Sequence, residues 1–287
     1  RAGQRIRKME RGALPPFSFV GGLFMRKFDS ITSEEASRIQ YVLCDIDDTI
    51  TTNGKLTAEA YSALWDLQKA GIRVIPVTGR PAGWCDLIVR EWPLYAVIGE
   101  NGAFVYYLEE GHKRVFLHPS VARGDVQGRL EKVKQACLAG VPGCRVSADQ
   151  FARIYDVAID FNEEPPYLGL DAAEKIRDIC VQMGAKAKVS SIHVNTWYGD
   201  YDKVSMAKLF LQTVAGEKEP RDCVLFFGDS PNDEPMFGYF PMSCAVANIA
   251  PFLEKLTAKP AFLAEEESGS GFAKCVQRLL NLRKNSI

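Results

Sequence analysis

Long apolar runs are missing: nowhere does the chain approach the ~20 consecutive apolar residues of a membrane span, so a soluble protein with no membrane partner is expected. Paired cysteines are missing too. The eight cysteines, at positions 44, 85, 137, 144, 180, 223, 244 and 275, form no C-x-x-C, and several lie inside apolar runs as small core residues do. That usage fits a reducing, cytoplasmic setting. Charge of one sign is not in excess: the formal net charge is -1, which gives no support to a nucleic-acid or anionic-membrane partner. Histidine is scarce, and His112, His118 and His193 have no metal-like spacing. No internal repeat is present.

What remains is ordinary globular composition, 47% hydrophobic and 25% charged over 287 residues, a length that favours two domains. The chain is organised around Tyr41-Val42-Leu43-Cys44-Asp45-Ile46-Asp47-Asp48-Thr49, where an apolar run breaks abruptly into carboxylates. Such a run suits a parallel strand covered on both faces, and in open parallel sheets the ligand crevice lies beyond the strands' carboxyl ends. Asp45 and Asp47 stand there. Each pair of like charges 4 Å apart costs roughly 4 kcal/mol at an effective dielectric near 20, so a divalent cation is expected to neutralise them. A bare Asp-x-Asp is equally a polar turn after a core strand, and the rest of the chain has to decide between the two.

Residues 1–40 are read as an N-terminal extension. A basic start (Arg1, Arg5, Arg7, Lys8, Arg11) precedes a glycine-broken apolar run at 17–24, and a docking arm or tail is preferred to a signal peptide because no small-residue cleavage site follows cleanly. Thr57 is placed to cap a helix carrying Ala60, Leu64 and Leu67, with Gly71 at its end. Strands are expected at 72–77 and 95–98, the first running into Thr78-Gly79-Arg80-Pro81 and the second into Glu100-Asn101-Gly102. Strand and helix alternating at this spacing imply right-handed crossovers and a parallel sheet, hence an α/β fold. The rhythm then changes. A hairpin around Glu109-Glu110-Gly111-His112, helices at 125–138 and 171–183, and strands at 153–161, 186–189 and 192–197 read as an α+β module at 107–196, inserted between the halves (41–106 and 197–287) of the first domain. The parallel pattern resumes with a helix after Asp202, a strand at 223–227 ending in Gly228-Asp229-Ser230-Pro231-Asn232-Asp233, strands at 244–247 and 261–264 around a short helix near 252–256, and a closing helix at 272–283.

Three strands thus end in polar residues, Asp45 with Asp47, Thr78, and Asp229 with Asp233, while Lys203 begins the helix before the last of them. Carboxyl ends of parallel strands share one edge of a sheet, so sequence distance does not keep these groups apart. Glycines beside them, Gly79 among them, let the backbone approach a bound group. The set offers hard oxygen ligands for Mg²⁺ together with a hydroxyl and a lysine suited to phosphate.

These residues resemble the motifs of the haloacid dehalogenase superfamily of phosphatases and phosphomutases. Asp45-Ile46-Asp47-Asp48-Thr49 is similar to its D-x-D-x-T motif, Thr78 to its second-motif hydroxyl, Lys203 to its third-motif base, and Gly228 to Asp233 to its G-D-x-x-N-D motif. The long insert between Thr78 and Lys203 resembles the Cof-like class with a large α+β cap, as do Glu100-Asn101-Gly102 and Gly271-Phe272-Ala273, where Phe272 replaces a commoner valine. The resemblance runs from Tyr41 to the terminal helix. It implies a Rossmann-like parallel-sheet core with an inserted cap.

The resemblance also implies roles. Asp45 would attack phosphorus to give an aspartyl-phosphate, and Asp47 would act as general acid and then base. Thr78 and Lys203 would hold phosphoryl oxygens, Mg²⁺ would sit between Asp45, the Asp47 backbone carbonyl and Asp229, and Gly79, Asn232 and Asp233 would support them. A small phosphorylated metabolite, a sugar phosphate by similarity of the stretch Asn195 to Lys203, is the expected partner. The cap would set specificity, with Asn195 and Trp197 as substrate-facing residues and Arg80 of the core able to reach phosphate, although Arg80 reads equally as an exposed arginine and Trp197 as part of a packed aromatic strand. A phosphomutase would use the same aspartates with a bisphosphate activator, and a non-catalytic phosphate-binding module would have lost a motif residue, which this chain has not. Oligomeric state is left open.

Overall fold

The structure, a computed structural model, describes residues 25–121, 125–190 and 192–284. The basic start and the apolar run at 17–24 lie outside these residues, and so does the question of a signal peptide. The described part of the expected extension is built into the core. Strand β1 (Arg26–Lys27) pairs in parallel with a late strand at Phe262–Leu263, and Phe28 is buried with its ring 5.8 Å from that of Phe227 and 5.6 Å from that of Phe262. Helix α1 (Ser33–Arg38) follows, opened by a capping box between Thr32 and Glu35. Removing Phe28 and Ile31 from water is what draws this segment in, and a boundary at residue 40 overlooks that burial.

Strand β2 (Tyr41–Cys44) is buried along its whole length. Val42 and Cys44 join one hydrophobic cluster and Tyr41 and Leu43 another, the period-2 alternation of a strand between two helical layers. After a short hairpin of β3 (Thr51–Thr52) and β4 (Lys55–Leu56), helix α2 (Ala58–Lys69) is capped by the Thr57 hydroxyl, buries Ala60, Leu64 and Leu67, and gives way near Gly71 at φ +75°. Strand β5 (Arg73–Pro76) pairs in parallel with β2, and helix α3 (Ala82–Glu91) starts directly after Pro81.

Strand β6 (Ala96–Gly99) meets the parallel sheet through a bridge between Val77 and Ile98, and on its other side pairs antiparallel with β7 (Phe104–Glu109). The hairpin is completed by β8 (His112–Leu117). It belongs to the core rather than to the inserted module: Tyr107 and Phe116 pack on Phe210, with ring centroids 5.6 and 6.1 Å away. A division at residue 107 therefore cuts through β7.

The inserted module comprises α4 (Val126–Gly140), β9 (Arg145–Val146), β10 (Asp156–Asp160), α5 (Leu170–Gln182), β11 (Lys186–Val189) and β12 (His193–Trp197). Its strands form an antiparallel sheet in the order β11-β12-β10-β9. Leu130, Val133 and Cys137 of α4 and Ala173, Ile176 and Cys180 of α5 cover Val157, Ile159 and Val194 on one face of that sheet. Side chains alternate across a strand, so Asp156, Lys188 and Asn195 occupy the other face.

Helix α6 (Lys203–Thr213) returns the chain to the core, followed by β13 (Val224–Gly228), α7 (Glu234–Tyr239), β14 (Ser243–Ala245), β15 (Phe262–Leu263) and α8 (Ser268–Lys284). The core sheet has six strands in the order β1-β15-β14-β13-β2-β5, all parallel. A 3₁₀ segment at Ala247–Phe252 takes the place of the short helix expected slightly later. Among the described residues no helix is long and apolar enough to cross a membrane.

Phe28 decides how firmly the amino-terminal segment belongs to this core. Phe28→Ala should cost about 3–5 kcal/mol in urea denaturation, as for a buried aromatic. A loss under about 1 kcal/mol would show the segment to be only docked.

Candidate active site

Strands β13 and β5 flank β2, so the carboxyl ends of all three open onto one crevice. There the Lys203 ammonium, buried at the start of α6, donates to Asp45 Oδ1 at 3.0 Å and to Asp233 Oδ1 at 3.1 Å. The second oxygen of Asp233 accepts the Asp229 backbone N–H at 3.1 Å. Asp229 in turn accepts the Thr49 hydroxyl at 2.8 Å and the Asn248 amide at 3.4 Å, and the same Asn248 Nδ2 donates to the Asp48 carbonyl at 2.9 Å. Every carboxylate of the cluster is held by at least one neighbour that fixes its orientation.

Two glycines make this geometry possible. A Cβ at Gly228 would lie 2.6 Å from Asp233 Oδ2, so only glycine lets that carboxylate fold back against the strand end. Gly102, at φ +108°, sits where a Cβ would come within 2.2 Å of the Asp202 carbonyl, next to Lys203. The stretch Glu100-Asn101-Gly102 thus sets the position of α6 and its lysine. All three residues have positive φ, a conformation that costs non-glycine residues of order 1–3 kcal/mol each. Glu100 is held in it by its buried carboxylate, which accepts from the backbone N–H groups of Ala82, Ile154, Tyr155 and Asp156.

Asp45, Asp229 and Asp233 each place a carboxylate oxygen within 4.8 Å of the others. One ammonium faces three buried acids. Burial pushes Asp45 well above the ordinary carboxylate range despite the pull of Lys203, and burial with repulsion from Asp233 and Asp45 does the same to Asp229. Lys203 is raised in return: burial opposes its charge, but Asp233 and Asp45 outweigh that. A surplus of buried hard oxygen donors is the environment a cation such as Mg²⁺ fits.

The other expected residues are placed as follows. The Asp47 side chain lies outside the three-acid cluster, more than half exposed, with Arg80 Nε donating to its two oxygens at 3.2 and 3.1 Å and Nη2 at 2.6 Å. Any share of Asp47 in metal binding would fall to its backbone carbonyl. Arg80 also lies over the Trp84 ring, 4.8 Å from its centroid. Thr78 is buried at the end of the β5 segment, its hydroxyl accepting the Arg80 N–H at 3.1 Å. The Gly79 carbonyl accepts Arg153 Nη1 at 3.0 Å, a link from the inserted module. Asn195 donates to Asp156 at 3.2 Å on the polar face of the module's sheet, whereas Trp197 stacks on Tyr201 at 5.8 Å inside an apolar cluster with Ala82 and Phe104. Among the described residues, the buried Asn232 Oδ1 and Asn101 Nδ2 have no hydrogen-bond partner.

Sequence reasoning gave no role to Thr49, Glu100, Arg153, Lys188 or Asn248. For Thr49 and Glu100 the motifs themselves were a signal. For Lys188 the signal is alternation, with Ala187 and Val189 inward and Lys186 and Lys188 outward along β11.

Residues 42–139 match the family model described as haloacid dehalogenase-like hydrolase. The chain is similar to a phosphoglycolate phosphatase of Methanothermobacter thermautotrophicus, 24% identical over 245 residues covering 83% of this chain and 98% of that protein. Among solved structures it resembles Thermoplasma acidophilum 0175, with TM-score 0.66 and 17% identity over 85% of this chain and 99% of the other. It also resembles BT4131, described as a HAD subclass IIB sugar phosphatase, with TM-score 0.60 and 13% identity over 85% and 99% of the two chains.

Burial raises Asp45 and Asp229 above the ordinary 3.8 of a carboxylate, so a cation such as Mg²⁺ held by both would compete with protons for them. Calorimetry in buffers of different ionisation enthalpy should show proton release near neutral pH and an affinity that weakens as pH falls. Asp229→Asn should weaken Mg²⁺ binding severely. Binding without proton release, or unchanged in the variant, would mean the ion sits elsewhere.

Proposed function

We propose that the chain, which matches the haloacid dehalogenase-like hydrolase model over residues 42–139 and resembles the Cof-like class, is a Mg²⁺-dependent phosphatase that hydrolyses a small phosphomonoester, a sugar phosphate or similar metabolite, through an aspartyl-phosphate on Asp45. The observation that carries this reading is the Lys203 ammonium joined to both Asp45 and Asp233 at the carboxyl edge of the sheet, beside Asp229. The relatives described as phosphoglycolate and sugar phosphatases support a small phosphorylated substrate. All eight cysteines are free thiols, in keeping with a reducing cytoplasm. We take the module at 126–197 as the cap.

Asp45 and Asp229 would hold Mg²⁺, together with the Asp47 carbonyl and with Asp233 in support, and the ion when bound would offset the negative charge of nucleophile and phosphoryl group. The chain's own residues do the rest. Lys203 orients Asp45 and screens its approach to a dianion, while Thr78 and the amides beside Gly79 receive phosphoryl oxygens. An Asp45 oxygen attacks phosphorus, the P–O ester bond breaks, and its electron pair leaves on the ester oxygen, which takes a proton from Asp47. Water then attacks the aspartyl-phosphate, giving a proton to Asp47, and the Asp45 carboxylate departs with its electron pair. Asp47 must leave Arg80 and take up a proton from solvent before it can donate to the ester oxygen, and its exposure gives it room to turn. Arg80, once released, is a cation beside an incoming phosphate.

The two aspartates should separate in kinetics. Asp45→Asn should abolish turnover of every ester. Asp47→Asn should lose ~10²- to 10⁴-fold with a sugar phosphate, whose alkoxide needs the proton. With p-nitrophenyl phosphate it should instead give a burst of nitrophenol followed by slow turnover. Equal loss for both esters with no burst would remove Asp47 from the acid and base role.

A further inference from the structure

Near the acid cluster stands a second lysine that the motifs do not supply. Along β11, Ala187 and Val189 pack into the cap's own core, and Lys186 and Lys188 project from the opposite face. Lys186 is paired with Asp200 at 2.6 Å. Lys188 has no carboxylate partner among the described residues; its Nζ donates to the backbone carbonyl of Asn232 at 2.7 Å, one residue before the Asp233 that holds Lys203. An ammonium carries three N–H donors, and this contact uses one. Burial and then the nearby charge of Lys203 disfavour its protonated form, with Asp233, Asp202 and Asp45 acting the other way. Two ammonium groups thus stand near one carboxylate cluster, and an anion entering beside Asp45 is attracted by both.

The position of Lys188 is fixed by the way the cap is tied down. Asn195, its partner in register on β12, donates to Asp156. Asp156 also accepts Arg153 Nη1 at 3.0 Å, and that nitrogen donates to the carbonyl of Gly79 as well. Glu100 accepts the N–H groups of Ile154 at 2.9 Å and Asp156 at 3.1 Å. The polar face of the cap sheet is therefore joined to the loop after Thr78 on one side and to the Asn232 loop on the other.

We propose that Lys188 is a substrate-binding residue that contacts the phosphoryl oxygens, so that the cap helps hold the transferred group and does not serve leaving-group choice alone. The proposal rests on the reading of Asp45 as the centre of phosphoryl transfer. A dianion at Asp45 meets Lys203 from the core and Lys188 from the cap, and closes the gap between the two cations.

The test uses Lys188→Met and Lys188→Arg, with inorganic phosphate as ligand in the presence of Mg²⁺ and p-nitrophenyl phosphate and glucose 6-phosphate as esters. Lys188→Met should weaken phosphate binding in calorimetry about 10- to 100-fold, the worth of a hydrogen bond to a charged group, and lower kcat/KM for each ester that is turned over by a similar factor. Lys188→Arg should restore most of both, and the melting temperature should stay put. Phosphate affinity and p-nitrophenyl phosphate turnover within threefold of native in Lys188→Met would overturn the proposal, including the case in which only the sugar phosphate suffers. Equal impairment of both variants with a lowered melting temperature would reduce Lys188 to a structural tie and overturn it too. A native protein that binds phosphate but hydrolyses no ester would fail the phosphatase reading, while the phosphate calorimetry would still decide the role of Lys188.

Discussion

Lys203 reaches Asp45 from the start of α6 and Asp233 from the loop after β13, and its ammonium is buried with both. Taking ions out of water costs several kcal/mol apiece, and one ammonium cannot balance three carboxylates. The structure meets that imbalance with orientation. Asp233 accepts a backbone N–H, Asp229 accepts a hydroxyl and an amide, and glycines at 102 and 228 remove the Cβ atoms that would keep helix and carboxylate away. What orientation does not supply is charge. A cation beside the acids and a dianion beside the lysine would complete the site, as the proposed metal-dependent phosphoryl chemistry requires.

The same logic explains why the inserted module is attached where it is. Its hydrophobic core faces away, between its sheet and its own two helices, and the other face of the sheet carries Asp156, Lys188 and Asn195 beside Trp197. It is joined to the core through Arg153 on the Gly79 carbonyl and Glu100 on the 154–156 amides, contacts made by groups whose burial would be costly if they were left unpaired. The inserted module and the loop after Thr78 are thus positioned by shared hydrogen bonds together with the apolar cluster of Trp197, Ala82 and Phe104.

Local patterns in the sequence identified the parts whose cause is local. The buried run at Tyr41–Cys44, the Thr57 cap and the stop near Gly71 are set by neighbours a few residues away, and the structure has them. The parallel α/β core and the inserted α+β module follow from alternation and spacing. The allegiance of the hairpin at β7 and β8 is different: it depends on Phe210 packing against Tyr107 and Phe116, a contact no local pattern announces. Phe28 is similar, since its burial needs Phe227 and Phe262. In the site, motif spacing brought Asp45, Lys203, Asp229 and Asp233 to one edge, because strand ends share that edge. The engagement of Asp47 with Arg80, the ties through Glu100 and Arg153, and the reach of Lys188 are matters of side-chain direction across distant segments. Only the alternation along β11 hinted at the last.

The proposed phosphatase requires Asp45 to become covalently phosphorylated. Acid quenching during turnover of a phosphomonoester with Mg²⁺, followed by borohydride reduction, converts an acyl phosphate on aspartate to homoserine, which peptide mapping by mass spectrometry locates. Homoserine at position 45, absent without substrate and absent in Asp45→Asn, is the result the account predicts. Steady turnover with an unmodified Asp45, or homoserine at another aspartate, would contradict it.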